Sequence, residues 1–312
     1  MLERSTRSHL IEGIKMNNFI LGLFLCLFTL TNMLDANAKV NSQPLPHTFY
    51  LNIPVQGPSS TWQLSAKYQL PRSESSKPRP AVIIVHSTSG IDSTGQFYAK
   101  ALNKAGIATL EVDLWGARNL MGGSDNRPNS PQETLPDIFS ALHYLAQRPE
   151  IDANNIGIIG FSWGGVLSML TATEQYMALT GTPLRFAAHV AHYPVCWLYN
   201  NVPGFEFTNL TGAPILIQSG NLDAYDTPET CPMLVSNLAT TDAQFVSLNM
   251  FKRAYHAWDR LEPKWLVTDP YSHLGQGGEV LLAPNKRIAR KSKHNVVEFF
   301  SAAFNHNDVD ED

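Results

Sequence analysis

Cysteine is scarce in this chain, three residues in 312, and there is neither a Cys-x-x-Cys pair nor a His-Glu-x-x-His run. Protein metal centres need three or four ligands brought close together, so the spacing offers no case for a metal site. Charge is also thin: Asp, Glu, Lys and Arg make up 16% of the residues, and the formal net charge is -4. The single basic concentration, Lys286, Arg287, Arg290, Lys291 and Lys293, has helical spacing and reads as a solvated helix face. Without a basic patch, nucleic acid is a poor choice of partner. No internal repeat is visible.

One long apolar run occurs, Asn18 to Thr31. It is shorter than the ~20 residues that cross a bilayer. It leads into Asp35-Ala36-Asn37-Ala38, whose Ala-x-Ala suits a signal peptidase cut after Ala38. Read from Met1, the residues Arg4, Arg7 and Lys15 form a basic leader; read from Met16, a typical signal spans residues 16–38. The expectation is a signal peptide over 1–38, export to the periplasm or outside the cell, and no membrane anchor after cleavage. Residues 39–307 then form one domain, and 308–312 an acidic disordered tail. Cys26 leaves with the signal. Cys196 and Cys231 remain as a pair in an exported protein, which makes a disulfide the natural expectation.

Beyond the leader the chain alternates. His47 to Ile53 and Trp62 to Leu70 read as a hairpin, and Pro71 to Pro80 as a surface loop. Ala81-Val82-Ile83-Ile84-Val85 is the unbroken β-branched run expected of a parallel strand covered on both faces. Strands are expected at 107–112, 156–160, 186–192, 213–218 and 244–250. Helices are expected around 99–104 and at 133–147, 165–177, 231–239 and 296–304. Residues 257–290 fit the alternation badly and read as irregular surface excursions. The pattern specifies an α/β fold with a mostly parallel central sheet and helices on both faces.

Gly160-Phe161-Ser162-Trp163-Gly164 stands at a strand-to-helix corner, where Gly-x-Ser-x-Gly marks a nucleophile elbow. A serine hydroxyl attacks only when a base takes its proton, and the base needs an acceptor to fix its tautomer. Downstream, Asp223 follows the 213–218 strand and His256 follows the 244–250 strand, so the order is Ser162, Asp223, His256. Asp226 is the rival acid. His86 reads as a brace for its loop, His189 and His192 as pocket wall or core, and no strand projects His273. The backbone amides of Trp163 and Thr88 are the candidates for an oxyanion hole, with Ser87 as the second choice to Thr88. Trp115, Arg118, Tyr193, Trp197, Tyr199 and Tyr225 are the candidate pocket residues, with Arg118 a possible partner for an anionic group. A Cys196–Cys231 bridge would staple two loops beside that pocket.

The ordered set resembles the dienelactone hydrolase family of the α/β-hydrolase superfamily. The resemblance is carried by Ile156 to Gly165, Gly220-Asn221-Leu222-Asp223 and Tyr255-His256-Ala257-Trp258-Asp259, with support from Val85-His86-Ser87, Gly90 and Asp113-Leu114-Trp115-Gly116. It implies an α/β-hydrolase fold and a cofactor-free hydrolase of small esters or lactones, with a nucleophile-His-Asp triad on Ser162, His256 and Asp223. The activity that names the family uses a cysteine nucleophile, whereas this chain has Ser162. It also uses a glutamate and arginines near the pocket, to which Glu111 and Arg118 do not map securely. The rival readings are a serine peptidase or amidase on the same fold, and a non-catalytic binding member of it.

Overall fold

Ala81 to Val85 is buried along its whole length, and its side chains feed two separate cores. Ile83 and Val85 pack toward Ile138 and Leu142, while Val82 and Ile84 pack toward Leu102 and Phe300. Successive side chains on a strand point to opposite faces, so an unbroken apolar run belongs where helices cover both. Each fully buried Ile or Val contributes about 1.5–3 kcal/mol relative to exposure.

The computed structural model describes residues 44–72 and 77–307, so the expected signal peptide, Cys26 and the acidic tail lie outside the described residues. A hairpin, β1 (His47–Gln56) and β2 (Thr61–Leu70), leads into β3 (Arg79–Val85), α1 (Ser93–Lys104) and β4 (Ala108–Asp113). Next come α2 (Leu135–Ala146), β5 (Ile151–Phe161), α3 (Trp163–Leu170), β6 (Ala188–His192) and β7 (Ile215–Gly220). The chain continues through α4 (Thr230–Ser236), β8 (Val246–Phe251), β9 (Trp265–Asp269), β10 (Gly278–Leu282) and α5 (Lys286–Asn307). The main sheet runs β1-β2-β4-β3-β5-β6-β7-β8. The β1-β2 and β2-β4 pairs are antiparallel, and every later pair is parallel. This is the expected α/β-hydrolase architecture. Its functional loops follow the carboxyl ends of β3, β5, β7 and β8, where open α/β sheets present ligand sites.

Three sequence expectations need correction. Residues 257–290 are not irregular throughout: β9 and β10 form an antiparallel hairpin, pairing Asp269 with Gly278 and Trp265 with Leu282. Each strand is only five residues long and lies outside the main sheet, so it breaks the alternation of long elements without lacking structure. The expected helix over 165–177 is broken after Leu170, where the Thr171 and Thr173 hydroxyls donate to the Leu167 and Leu170 carbonyls, and a short helix resumes at Glu174–Met177. The last helix begins at Lys286 instead of 296, with the basic run as its first turns. Among the described residues no helix is long and apolar enough to cross a membrane.

Candidate active site

At the end of β5 the chain turns so tightly that a Cβ on Gly160 would lie 1.8 Å from the Gly164 carbonyl oxygen. A Cβ on Gly164 would lie 2.2 Å from the Val85 carbonyl oxygen. Only glycine fits either position. Ser162, at the apex, takes φ 51° and ψ -107°, a region costly for a residue with a side chain. Its amide donates to the His192 carbonyl at 3.0 Å, and its carbonyl accepts from the Val166 amide at 2.8 Å. The strained corner is thus held between β6 and the first turn of α3.

The candidate acid and base come from adjacent loops. The Leu222 amide donates to the Ala254 carbonyl at 2.9 Å, tying the loop after β7 to the loop after β8. Across that tie His256 Nδ1 meets Asp223 Oδ2 at 2.7 Å, both side chains being buried. The other oxygen, Asp223 Oδ1, accepts the Tyr225 amide at 3.0 Å. With its proton on Nδ1 toward the carboxylate, the imidazole keeps Nε2 as an acceptor. The Tyr193 and Tyr225 rings flank it, at 4.6 and 4.5 Å between centroids. A backbone bridge from His256 to Leu282 of β10 anchors the histidine loop from outside the main sheet.

The two candidate oxyanion donors lie on segments that the backbone ties together. The Gly164 amide donates to the His86 carbonyl at 3.2 Å, which ties the elbow to that loop. His86 braces the loop as its position predicts. Its Nε2 accepts the Leu114 amide at 3.0 Å, so the proton sits on Nδ1 and donates to the Ser87 carbonyl at 2.7 Å. Burial holds the His86 pKa below its ordinary value, in keeping with a neutral ring. The Thr88 carbonyl accepts from Gly123 N at 2.9 Å and Trp115 Nε1 at 3.1 Å. Among the described residues, the amides of Thr88 and Trp163 donate to no protein acceptor.

A cavity of about 250 Å³ opens beside Ser162, with Thr88, Trp163, Trp197 and Tyr225 in its lining. Trp197 and Tyr225 therefore stand where the sequence reading put them. Four other residues do not. Trp115 lies behind the wall, packed edge-on against His86 and Trp163, and acts as a buttress for both candidate oxyanion loops. Tyr193 is buried beneath His256, its hydroxyl donating to Asp259 at 2.8 Å. Arg118 is committed elsewhere: it pairs with buried Asp137 at 2.6 Å and lies over the Trp62 ring at 4.6 Å. Tyr199 is likewise core, with its hydroxyl on the Pro194 carbonyl. Glu111 pairs with Lys67 instead of facing the cavity. The arginine that does reach the cavity is Arg127, nine residues past Arg118 in the same loop, where it meets Asp269 of β9. Neither is signalled by the sequence: Arg127 stands in a loop with no periodic pattern, and Asp269 in a segment that fits the alternation badly.

Three further groups resolve. Asp226, the rival acid, accepts the Cys196 and Trp197 amides at 2.8 and 2.9 Å and leaves His256 to Asp223. Burial, reinforced by the charge of Asp223, pushes the Asp226 carboxyl up to about 7. His192 is fully buried and bonds Asp259 at 3.0 Å, making a second imidazole–carboxylate pair that belongs to the core. His273 is exposed, with Nε2 on the Glu279 carbonyl.

Cys196 and Cys231 form the expected disulfide, across 35 residues of sequence. It joins α4 to the segment bearing Val195, Trp197 and Leu198 of the cavity wall. Replacing both cysteines by alanine should lower stability by about 3–4 kcal/mol on the chain-entropy account. The shift would appear as a lower urea midpoint. An unchanged midpoint would mean that the Asp226 contacts alone hold this wall.

Comparison with known proteins agrees with this architecture. Residues 67–304 match the model of the Dienelactone hydrolase family. Over 159 residues the chain is 28% identical to a Bradyrhizobium protein described as "Probable 2-oxo-3-(5-oxofuran-2-ylidene)propanoate lactonase". That match takes in 47% of this chain and 60% of the other, so the chain spans less than two thirds of this relative. Esterase 2 of Thermogutta terrifontis, in its form phosphoramylated by tabun, aligns with a TM-score of 0.58 at 16% identity, over 84% of this chain and 97% of that one. A dienelactone hydrolase from Anabaena variabilis aligns with a TM-score of 0.53 at 18% identity, over 83% and 99%. At such identities the structural likeness is one of fold. The family match, however, runs from β2 to the last helix and takes in every loop that carries the site, and by it the chain belongs to the dienelactone hydrolase family.

Proposed function

We propose that this protein is a serine hydrolase of small carboxylic esters or lactones, working through Ser162, His256 and Asp223. The observation that carries the reading is the 2.7 Å bond from His256 Nδ1 to Asp223, which leaves Nε2 as the ring's proton acceptor, while the elbow holds Ser162 in a strained conformation. In the proposed cycle His256 Nε2 takes the Ser162 proton as Oγ attacks the carbonyl carbon. The amides of Trp163 and Thr88 receive the developing oxyanion. Collapse expels the alcohol with the proton from His256 and leaves an acyl-enzyme. His256 then deprotonates a water that attacks the acyl carbon, and the acid departs as Ser162 regains its proton. Asp223 stays ionised and orients the ring. The chemistry needs no metal or organic cofactor.

At about 250 Å³, the cavity is smaller than the ~300–1,000 Å³ of sites for drug-sized ligands, which supports a short acyl group. The buried disulfide supports an oxidising compartment, and with the leader over 1–38 we extend this to export. A fluorophosphonate probe tests the central claim. It should label Ser162, as read by peptide mass analysis, and abolish ester hydrolysis in proportion. An active esterase labelled elsewhere, or not at all, would overturn the assignment. Running esters, lactones and short peptides side by side separates this reading from a peptidase on the same fold.

A further inference from the structure

Among the described residues lining the cavity beside Ser162, the charged side chains are two of opposite sign, Arg127 and Asp269. They are bound to each other. Arg127 Nη2 lies 3.1 and 3.2 Å from the two Asp269 oxygens, with 7% and 2% of the respective side chains exposed. Each is also fixed from behind. Arg127 Nη1 donates to Thr88 Oγ1 at 2.9 Å, and the guanidinium lies between the Trp163 and Tyr271 rings, 5.6 and 5.3 Å from their centroids. Asp269 Oδ1 accepts the Tyr271 amide at 2.9 Å, and Oδ2 accepts the Ser124 hydroxyl at 3.3 Å.

A guanidinium at this depth beside the reacting serine would ordinarily anchor a substrate carboxylate by a bidentate contact. Here the protein's own carboxylate occupies that place. An anionic substrate would have to displace Asp269, leaving it buried and unpaired, or lie next to its charge where little water screens the repulsion. A cationic substrate meets the same difficulty with Arg127. The remaining lining is apolar or neutral.

We propose that the Arg127–Asp269 pair sets the charge specificity of this site, selecting neutral esters and lactones and rejecting substrates that carry a carboxylate. The inference rests on the ester-hydrolase reading and names its substrate class. Specificity of this kind comes from the unfavourable partner a wrong substrate would meet.

Three short ethyl esters of similar size test it: ethyl butyrate, monoethyl succinate and ethyl 4-aminobutyrate, which is cationic at neutral pH, each followed by pH-stat titration. For the wild type, kcat/KM on ethyl butyrate should exceed that on either ionic ester by about tenfold or more. Asp269→Asn keeps the acceptor for Tyr271 and frees Arg127, so the monoethyl succinate to ethyl butyrate ratio should rise about tenfold. Arg127→Gln leaves Asp269 uncompensated and should raise the ratio for the cationic ester instead. The double variant Arg127→Gln/Asp269→Asn has no net charge to offer and should return to the neutral preference. A purely structural role for the pair would lower all three rates together and leave the ratios unmoved. Equal wild-type rates on ethyl butyrate and monoethyl succinate would overturn the inference without any variant, and so would an unchanged ratio in folded Asp269→Asn. Activity on ethyl butyrate with a flat charge profile overturns only this inference. A wild type inert toward all three overturns the ester-hydrolase reading and this inference with it.

Discussion

Ser162→Ala should lower kcat by about 10⁵–10⁶-fold, because removal of the nucleophile in a serine hydrolase leaves only binding and oxyanion stabilisation. The loss should fall on kcat, with KM and the folded structure retained. Alanine keeps the Cβ that the elbow already tolerates and removes a hydroxyl whose proposed role is chemical. The backbone makes a companion expectation. Ser162 sits at φ 51° and ψ -107°, a conformation that costs a residue with a Cβ about 1–3 kcal/mol. Ser162→Gly should therefore be equally inactive and yet more stable than Ser162→Ala, a difference visible in thermal melts. Catalysis and stability would then be opposed at one residue, as expected where strain presents a nucleophile. Steady-state kinetics on a short-chain ester, with the melts beside them, check both statements. A Ser162→Ala rate within an order of magnitude of the wild type would remove Ser162 from the mechanism.

Asp223→Asn should cost about 10⁴-fold in kcat through the tautomer of His256. Asp223 Oδ1 accepts the Tyr225 amide while Oδ2 meets His256 Nδ1. Asparagine can offer its oxygen to only one of them. If the oxygen stays on Tyr225, the amide NH₂ faces the ring, Nδ1 must become the acceptor, and the proton moves to Nε2. An imidazole protonated at Nε2 cannot take the Ser162 proton. Asp226→Asn is the matched control. Asp226 holds the Cys196 and Trp197 amides, so its loss should destabilise the cavity wall and cost far less in kcat. Single-turnover measurements on the two variants separate the cases. Equal losses at both positions would reject Asp223 as the specific partner of His256.

The order of elements and the elbow were legible in the chain because short-range physics decides them. A β-branched run such as Ala81 to Val85 can be satisfied only between two covered faces. Gly160 and Gly164 are required by contacts of 1.8 and 2.2 Å with backbone atoms around the same corner. The meeting of Asp223 with His256 was legible for a related reason, since each follows a core strand and strand ends are where this topology gathers its loops. Arg118 and Arg127 were another matter. They lie nine residues apart in one loop, and no local pattern tells which of them turns inward. That choice is made by carboxylates distant in sequence: Asp137 on α2 draws Arg118 toward Trp62, and Asp269, 142 residues beyond Arg127, holds that side chain in the cavity. Trp115 and Tyr193 fell behind the wall instead of lining it because each found buried partners on other elements. Periodicity and backbone sterics thus determined where the loops gather and where the strained elbow stands. Which side chains line the cavity, and with what net charge, was decided only by tertiary structure, because buried charges settle where their counter-charges are and those lie far along the chain.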